Sequence, residues 1–261
     1  MTDLQKAILD VAIEVKRVCE KNKINYSLAY GTLIGAMRHK GFIPWDDDID
    51  FLMMREDYER FIEVCKTDLN PRYALRSIEE NNYVYHFIKL DDTTTTLKEH
   101  YNKDKNYRGG VYIDIFPIDV APQSALKRSL FLKRIKYLRF RRNLAATDFT
   151  NKKYSLLKRI VIKIFQNSNC RKYLLKLDKC YKKYRNKKTD YVITSYYLFK
   201  KSLFEGYVDC DFEGEKFSCF AKSHEFLTAV YGDYMCLPPE NKRVSNHFAD
   251  IDLTKSYKEQ E

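Results

Sequence analysis

Residues 46–50 read Asp46-Asp47-Asp48-Ile49-Asp50, and the apolar run Phe51-Leu52-Met53-Met54 follows at once. Taken as a strand, this segment puts Asp48 and Asp50 on one face, because side chains alternate with period two. Two carboxylates side by side repel each other. A cation between them removes the conflict, and hard oxygen donors suit Mg²⁺ or Mn²⁺. An acid cluster at the mouth of a buried strand therefore points to metal-assisted chemistry on phosphates. An acid run alone reads as a solvated turn, so its surroundings decide. Asp46 and Asp47 stay open between a second metal, outer-shell water and a role in shaping the loop.

Upstream, Ile24 to Tyr30 reads as a strand, Gly31-Thr32 breaks it, and Leu33 to Arg38 opens a short helix. Such a turn offers backbone N–H groups and a small hydroxyl to a phosphate. Downstream, Gly109 to Pro117 reads as an apolar strand with Asp114 inside it. A buried, unpaired carboxylate costs several kcal/mol or shifts its pKa. Sharing a metal with Asp48 and Asp50 removes that cost; hydrogen bonds from loop backbone are the competing reading. Strand, Gly-Thr, helix, Asp-x-Asp strand and a third acid is the order expected of a nucleotidyltransferase-type core. Asp48, Asp50 and Asp114 are its candidate catalytic and metal residues, with Gly31 and Thr32 as phosphate donors.

Further candidates flank this frame. Arg38, followed by His39 and Lys40, has the chemistry to clamp phosphate oxygens. Lys89 lies in the apolar stretch Phe87-Ile88-Lys89-Leu90 and needs an anion, either a nucleotide phosphate or Asp91 or Asp92. Trp45, the single Trp, packs the Pro44 loop or faces a cationic group. Arg243 and His247 are spaced to meet on one helical face near the C-terminus.

Charge is placed unevenly. Residues 126–188 carry 22 Lys or Arg against Asp148 and Asp178, a balance of +20, whereas the whole chain is +11 and the remainder −9. A basic middle beside an acidic remainder suggests an anionic partner. It reads as a solvated helical face, as a seat for a phosphorylated glycan, or as a dock on anionic lipid with Leu156, Leu157, Ile160, Val161, Ile164 and Phe165 as the apolar side. No nucleic-acid motif accompanies the charge. No apolar stretch approaches a membrane span, and Met1 to Lys6 does not resemble an export signal. The seven cysteines form no C-x-x-C pair and are expected as buried, reduced thiols of a cytoplasmic protein.

The coarse pattern is a helix over 3–22, the strand–turn–helix above, a helix over 56–69, and strands over 73–79, 84–90, 94–98 and 111–116. Helices over 123–147 and 153–185, a hairpin over 206–220, a helix over 223–231 and a frayed tail after Asp250 follow. The expected class is α/β (α+β): a mixed sheet with flanking helices. The catalytic core spans 1–120, a basic helical insertion 121–190, and residues 191–261 complete the core.

The run from Tyr30 through Asp50 resembles the signature of the LicD family, bacterial phosphocholine transferases related to the fukutin group. The likeness continues at Arg55-Glu56-Asp57-Tyr58-Glu59-Arg60-Phe61, Ile113-Asp114-Ile115-Phe116-Pro117-Ile118-Asp119 and Tyr231-Gly232-Asp233-Tyr234-Met235-Cys236-Leu237-Pro238-Pro239. It covers roughly residues 1–120 and 200–250. The resemblance implies Mg²⁺- or Mn²⁺-dependent transfer of phosphocholine from CDP-choline to a hydroxyl of a surface glycan or its lipid-linked precursor. The glycan would be of the teichoic acid, lipopolysaccharide or capsule type. The thiols and the basic middle, by contrast, set the expected location: cytoplasmic, with peripheral contact at the inner face of the cytoplasmic membrane. Ribitol phosphate, glycerol phosphate and phosphoethanolamine are rival transferred groups, and a non-catalytic membrane tether is the reading from another class. The zinc element of the mammalian relatives has no evident counterpart.

Overall fold

Leu4, Ile8, Val11, Val15 and Val18 recur at helical spacing, and helix α1 (Asp3–Asn22) forms over them with that stripe turned into the core. Thr2 caps it: its hydroxyl accepts from the Gln5 N–H while the Gln5 side chain accepts from the Thr2 N–H. The computed structural model describes residues 1–81, 83–99, 109–146, 155–165, 169–195, 197–244 and 248–260.

After α1 come β1 (Ser27–Leu28), α2 (Tyr30–Arg38), β2 (Asp50–Met54), α3 (Arg55–Asp68), β3 (Tyr73–Arg76), β4 (Ile88–Asp92), β5 (Thr96–Glu99) and β6 (Tyr112–Val120). The middle holds α4 (Ala125–Ala146), α5 (Leu156–Phe165) and α6 (Cys170–Tyr181). Then follow β7 (Tyr191–Thr194), β8 (Tyr197–Lys200), β9 (Tyr207–Phe212), β10 (Glu215–Phe220), α7 (Ser223–Tyr231) and β11 (Phe248–Asp252). The mixed α/β class expected from the sequence is the one observed.

The main sheet has seven strands in the path β1-β2-β6-β4-β3, with β7 on β6 and β8 on β7. Its axis is β6, whose Ile113, Ile115 and Ile118 are fully buried. On one side β6 runs parallel to β2; on the other its first residues pair antiparallel with β4 and its last three with β7. Pro117, which has no N–H to give a ladder, sits where that partner changes. A second core of Phe131, Ile135, Leu138, Leu177, Cys180 and Ile193 joins α4 and α6 to the back of β7.

Three expectations need correction. Residues 191–200 form β7 and β8, strands that the sequence reading had not marked. The tail after Asp250 is not frayed: Asp250, Ile251 and Asp252 pair with Lys98, Leu97 and Thr96, and the Tyr257 N–H donates to the Thr95 carbonyl at 3.1 Å. Cys210 and Cys219 are joined by a disulfide, with Cα atoms 6.2 Å apart. The hairpin explains the pairing. Glu213 and Gly214, with φ of 53° and 84°, make a two-residue loop of the primed kind, which sets Cys210 opposite Phe217 and Cys219 opposite Val208. The thiols are therefore near diagonal neighbours on β9 and β10. Cys19, Cys65 and Cys180 are buried, as expected. Among the described residues no helix is long and apolar enough to cross a membrane.

Candidate active site

The acid run ends where β2 begins. Asp50 is the first residue of that strand, and Asp48 lies just before it. In the parallel register of β2 and β6, Asp50 stands directly beside Asp114, so the two acids come from segments 64 positions apart in sequence. The backbone fixes them. The Asp50 N–H donates to the Thr32 hydroxyl at 2.8 Å, the Asp50 carbonyl accepts from the Ala29 N–H at 2.9 Å, and the Asp114 N–H donates to the Ile49 carbonyl at 3.0 Å.

Burial pushes the Asp50 carboxyl well above the usual carboxylate range. The charges of Asp48, Asp114 and Asp46 push it further, and Lys89 pulls it partly back. Lys89 is fully inside the protein, opposite Asp114 in the antiparallel register of β4 and β6. Its Nζ lies 3.2 Å from Asp114 Oδ1 and is capped by the rings of Tyr112 and Tyr85, at 3.2 Å and 4.5 Å from their centroids. Of the anions the sequence offered it, Asp91 is instead engaged by Arg76 and Asp92 by Arg72.

Helix α2 begins at Tyr30, three residues before the sequence suggests, so Gly31 and Thr32 lie in its first turn; Tyr30 itself has a φ of 46°. A Cβ on Gly31 would stand 2.9 Å from Asp46 Oδ2, so a larger residue there would displace the Asp46 carboxylate. Thr32 is buried, and its hydroxyl receives the Asp50 amide. Thr32→Val removes that acceptor and should cost about 1–3 kcal/mol, read as a lower midpoint in urea unfolding, with turnover falling alongside. The Asp46 carbonyl accepts from Gln5 Nε2 at 2.9 Å, which ties the acid loop to α1. The Phe42 N–H donates to Glu213 Oε1 at 2.9 Å, which ties the loop's start to the β9–β10 hairpin.

Arg38 sits six residues along α2 from Thr32, about 9 Å along the axis. Its guanidinium donates to the carbonyls of Tyr234 and Cys236 at 2.7 Å and 3.3 Å. The Arg243 Nε donates to the Pro238 carbonyl at 2.9 Å, and its guanidinium lies over the Trp45 ring at 5.5 Å. These two arginines and Trp45 thus join the start of the acid loop to the C-terminal motif. His247 lies outside the described residues.

Sequence reasoning missed Tyr30, Tyr231 and Thr194. The Tyr30 hydroxyl is 3.0 Å from Thr194 Oγ1 on β7, and the charges of Asp50 and Asp48 reach the Tyr231 phenol at the end of α7. Tyr30 and Tyr231 each open a stretch that carries the family likeness, which was the available signal. Thr194 carried none, because its strand was not recognised. The charges of Asp48, Asp114 and Asp46 all act on Asp50, and carboxylate oxygens are donors that suit a hard divalent cation. Among the described residues no group of three or more His, Cys, Asp or Glu side chains is placed so as to hold a metal ion.

The sequence profile of the LicD/FKTN/FKRP nucleotidyltransferase domain matches residues 23–146. The lipopolysaccharide cholinephosphotransferase LicD of Haemophilus influenzae is 30% identical over 260 residues, covering 96% of this chain and 97% of that one. An uncharacterised protein of Rickettsia prowazekii is 35% identical over 91 residues, 28% of this chain and 34% of its own.

Proposed function

This chain belongs to the LicD family, and from that premise we propose that it transfers phosphocholine from CDP-choline to a glycan hydroxyl and releases CMP. The acceptor class we favour is a lipopolysaccharide or its lipid-linked precursor, since the relative aligned end to end carries that name. A teichoic acid or capsule is the same chemistry on another scaffold. The observation that carries the reading is the side-by-side placement of Asp50 and Asp114 next to the N-terminus of α2.

In this reading the acceptor oxygen forms a bond to the phosphocholine phosphorus as the bond to the CMP oxygen breaks. Asp48, Asp50 and Asp114 would hold Mg²⁺ or Mn²⁺, which when bound neutralises charge on the two phosphates and the departing CMP. The amides at the start of α2, around Gly31 and Thr32, donate to phosphate oxygens. Lys89 holds Asp114 in place through its ion pair, and Asp114 takes the proton of the acceptor hydroxyl. Arg38, Trp45 and Arg243 serve by pinning the C-terminal motif against the acid loop rather than by clamping phosphate. We place the reaction at the cytoplasmic face of the membrane.

The test is CMP release by the purified protein with Mg²⁺ or Mn²⁺, offered CDP-choline, CDP-ethanolamine, CDP-glycerol and CDP-ribitol with membrane extract as acceptor. Release from CDP-choline above the others is the expected result. Release from a different donor would keep the mechanism and replace the head group, and release from none would overturn the proposal.

A further inference from the structure

Helix α4 has two apolar stripes. Phe131, Ile135 and Leu138 face the second core. Leu126, Leu130, Tyr137 and Phe140 form the other, with Lys133 among them, at steps of four, three, four and three residues, the spacing of a single helical face. The side chains of these four apolar residues are between 47% and 72% exposed. A solvent-facing helical side is normally polar, so this stripe is built to be covered.

The setting says by what. Neither α4 nor α5 contains an acidic residue. Around the stripe stand the exposed cations Lys127, Lys133, Arg134 and Lys136, and α5 adds exposed Ile160 and Ile164 between exposed Arg159 and Lys163. The segment they belong to carries +20. A second copy of this chain would bring two such surfaces face to face, which charge repulsion opposes. Nucleic acid satisfies the cations but not a row of Leu, Tyr and Phe. A bilayer rich in anionic lipid satisfies both, because apolar side chains enter the acyl boundary while Lys and Arg meet the headgroups.

We propose that the exposed face of α4, with Ile160 and Ile164 of α5, is a peripheral docking surface for anionic membrane. Of the apolar side read from the sequence, Ile160 and Ile164 are exposed, Val161 and Phe165 are half-buried, and the side chains of Leu156 and Leu157 lie outside what is described; α4 supplies the longer stripe. Docking needs no turnover, so it stands or falls separately from the transferase reading.

The test is co-sedimentation of the full chain with phosphatidylcholine vesicles, with and without about one third phosphatidylglycerol. The expected result is at least tenfold tighter partitioning onto the anionic vesicles, weakened by salt. Leu130→Glu with Tyr137→Glu should lower it at least tenfold. Both positions are exposed, so the melting curve should stay in place, and a second pair, Leu126→Ser with Phe140→Ser, controls for folding. CMP release with a soluble acceptor should be unchanged in either pair. Equal binding to neutral vesicles, no binding at low salt, or binding that ignores both pairs would overturn the proposal. So would self-association in sedimentation velocity that the same substitutions abolish, since a second copy would then own the stripe.

Discussion

Asp50→Asn is expected to reduce CMP release by about 10³-fold or more and, in the same protein, to raise the melting temperature at neutral pH. The two effects share one cause. The Asp50 carboxyl is held well above its usual range by burial and then by Asp48, Asp114 and Asp46. A carboxyl raised on folding contributes stability that is fully present below its unfolded value, near 3.9, and lost as pH rises through the folded value. At pH 7 the metal-free wild type therefore carries a penalty that the amide does not. The gain should read as a higher melting midpoint in metal-free buffer. It should shrink on acidification, as the wild type takes up its proton. Millimolar Mg²⁺ or Mn²⁺ should raise the wild type's melting temperature and leave Asp50→Asn nearly unmoved. A variant that melts lower at pH 7, or responds to metal like the wild type, would remove both the electrostatic account and the ligand role.

Arg55→Ala should cost about 3–5 kcal/mol. Arg55 opens α3 directly after the acid strand, and Asp119 lies near the end of β6. Their side chains meet as a two-pronged pair, Nε to Oδ1 at 2.8 Å and Nη2 to Oδ2 at 2.6 Å, with both partners almost wholly buried. Burial pushes the Asp119 carboxyl up and Arg55 pulls it down; the fork geometry favours the ionised pair. Removing the guanidinium strands a carboxylate inside the protein and frees the C-terminal end of β2 from β6. A drop in melting temperature of roughly 10 °C should be largely recovered by Arg55→Met with Asp119→Leu, which removes both charges. If the double variant melts no higher than the single one, the loss is one of packing rather than of charge.

Much of the site could be read from the chain because its chemistry is local in sequence. The acid run, the Gly-Thr turn and the lone Asp in an apolar strand each announce themselves. Only the register of β2 and β6 was needed to bring Asp50 beside Asp114. The parts that were missed depend on long-range pairing. Lys89 could be recognised as a buried cation, but a strand pattern does not say which carboxylate lies across the ladder, so the sequence offered only a nucleotide phosphate or its neighbours Asp91 and Asp92. Tyr191-Val192-Ile193-Thr194 is too short to separate from the basic helices before it. The Cys210–Cys219 pair follows from a turn type, not from cysteine spacing. Arg38 looked like a phosphate ligand because it precedes the acids, whereas in space it grips carbonyls almost 200 residues further on.

The last strand pairing of β6 has a consequence for how the chain assembles. Val120 meets Val192, and Ile118 meets Thr194, so this edge of the sheet cannot close until more than 70 further residues have been made. Such distant pairings form slowly, because a long loop must be ordered before they give any return. Helices α4 and α6 lie within that loop and pack on each other. Their docking draws its ends together and shortens the search. Shortening the segment between β6 and β7 to a flexible linker should therefore slow refolding more than it lowers equilibrium stability, as read by stopped-flow refolding against urea midpoints.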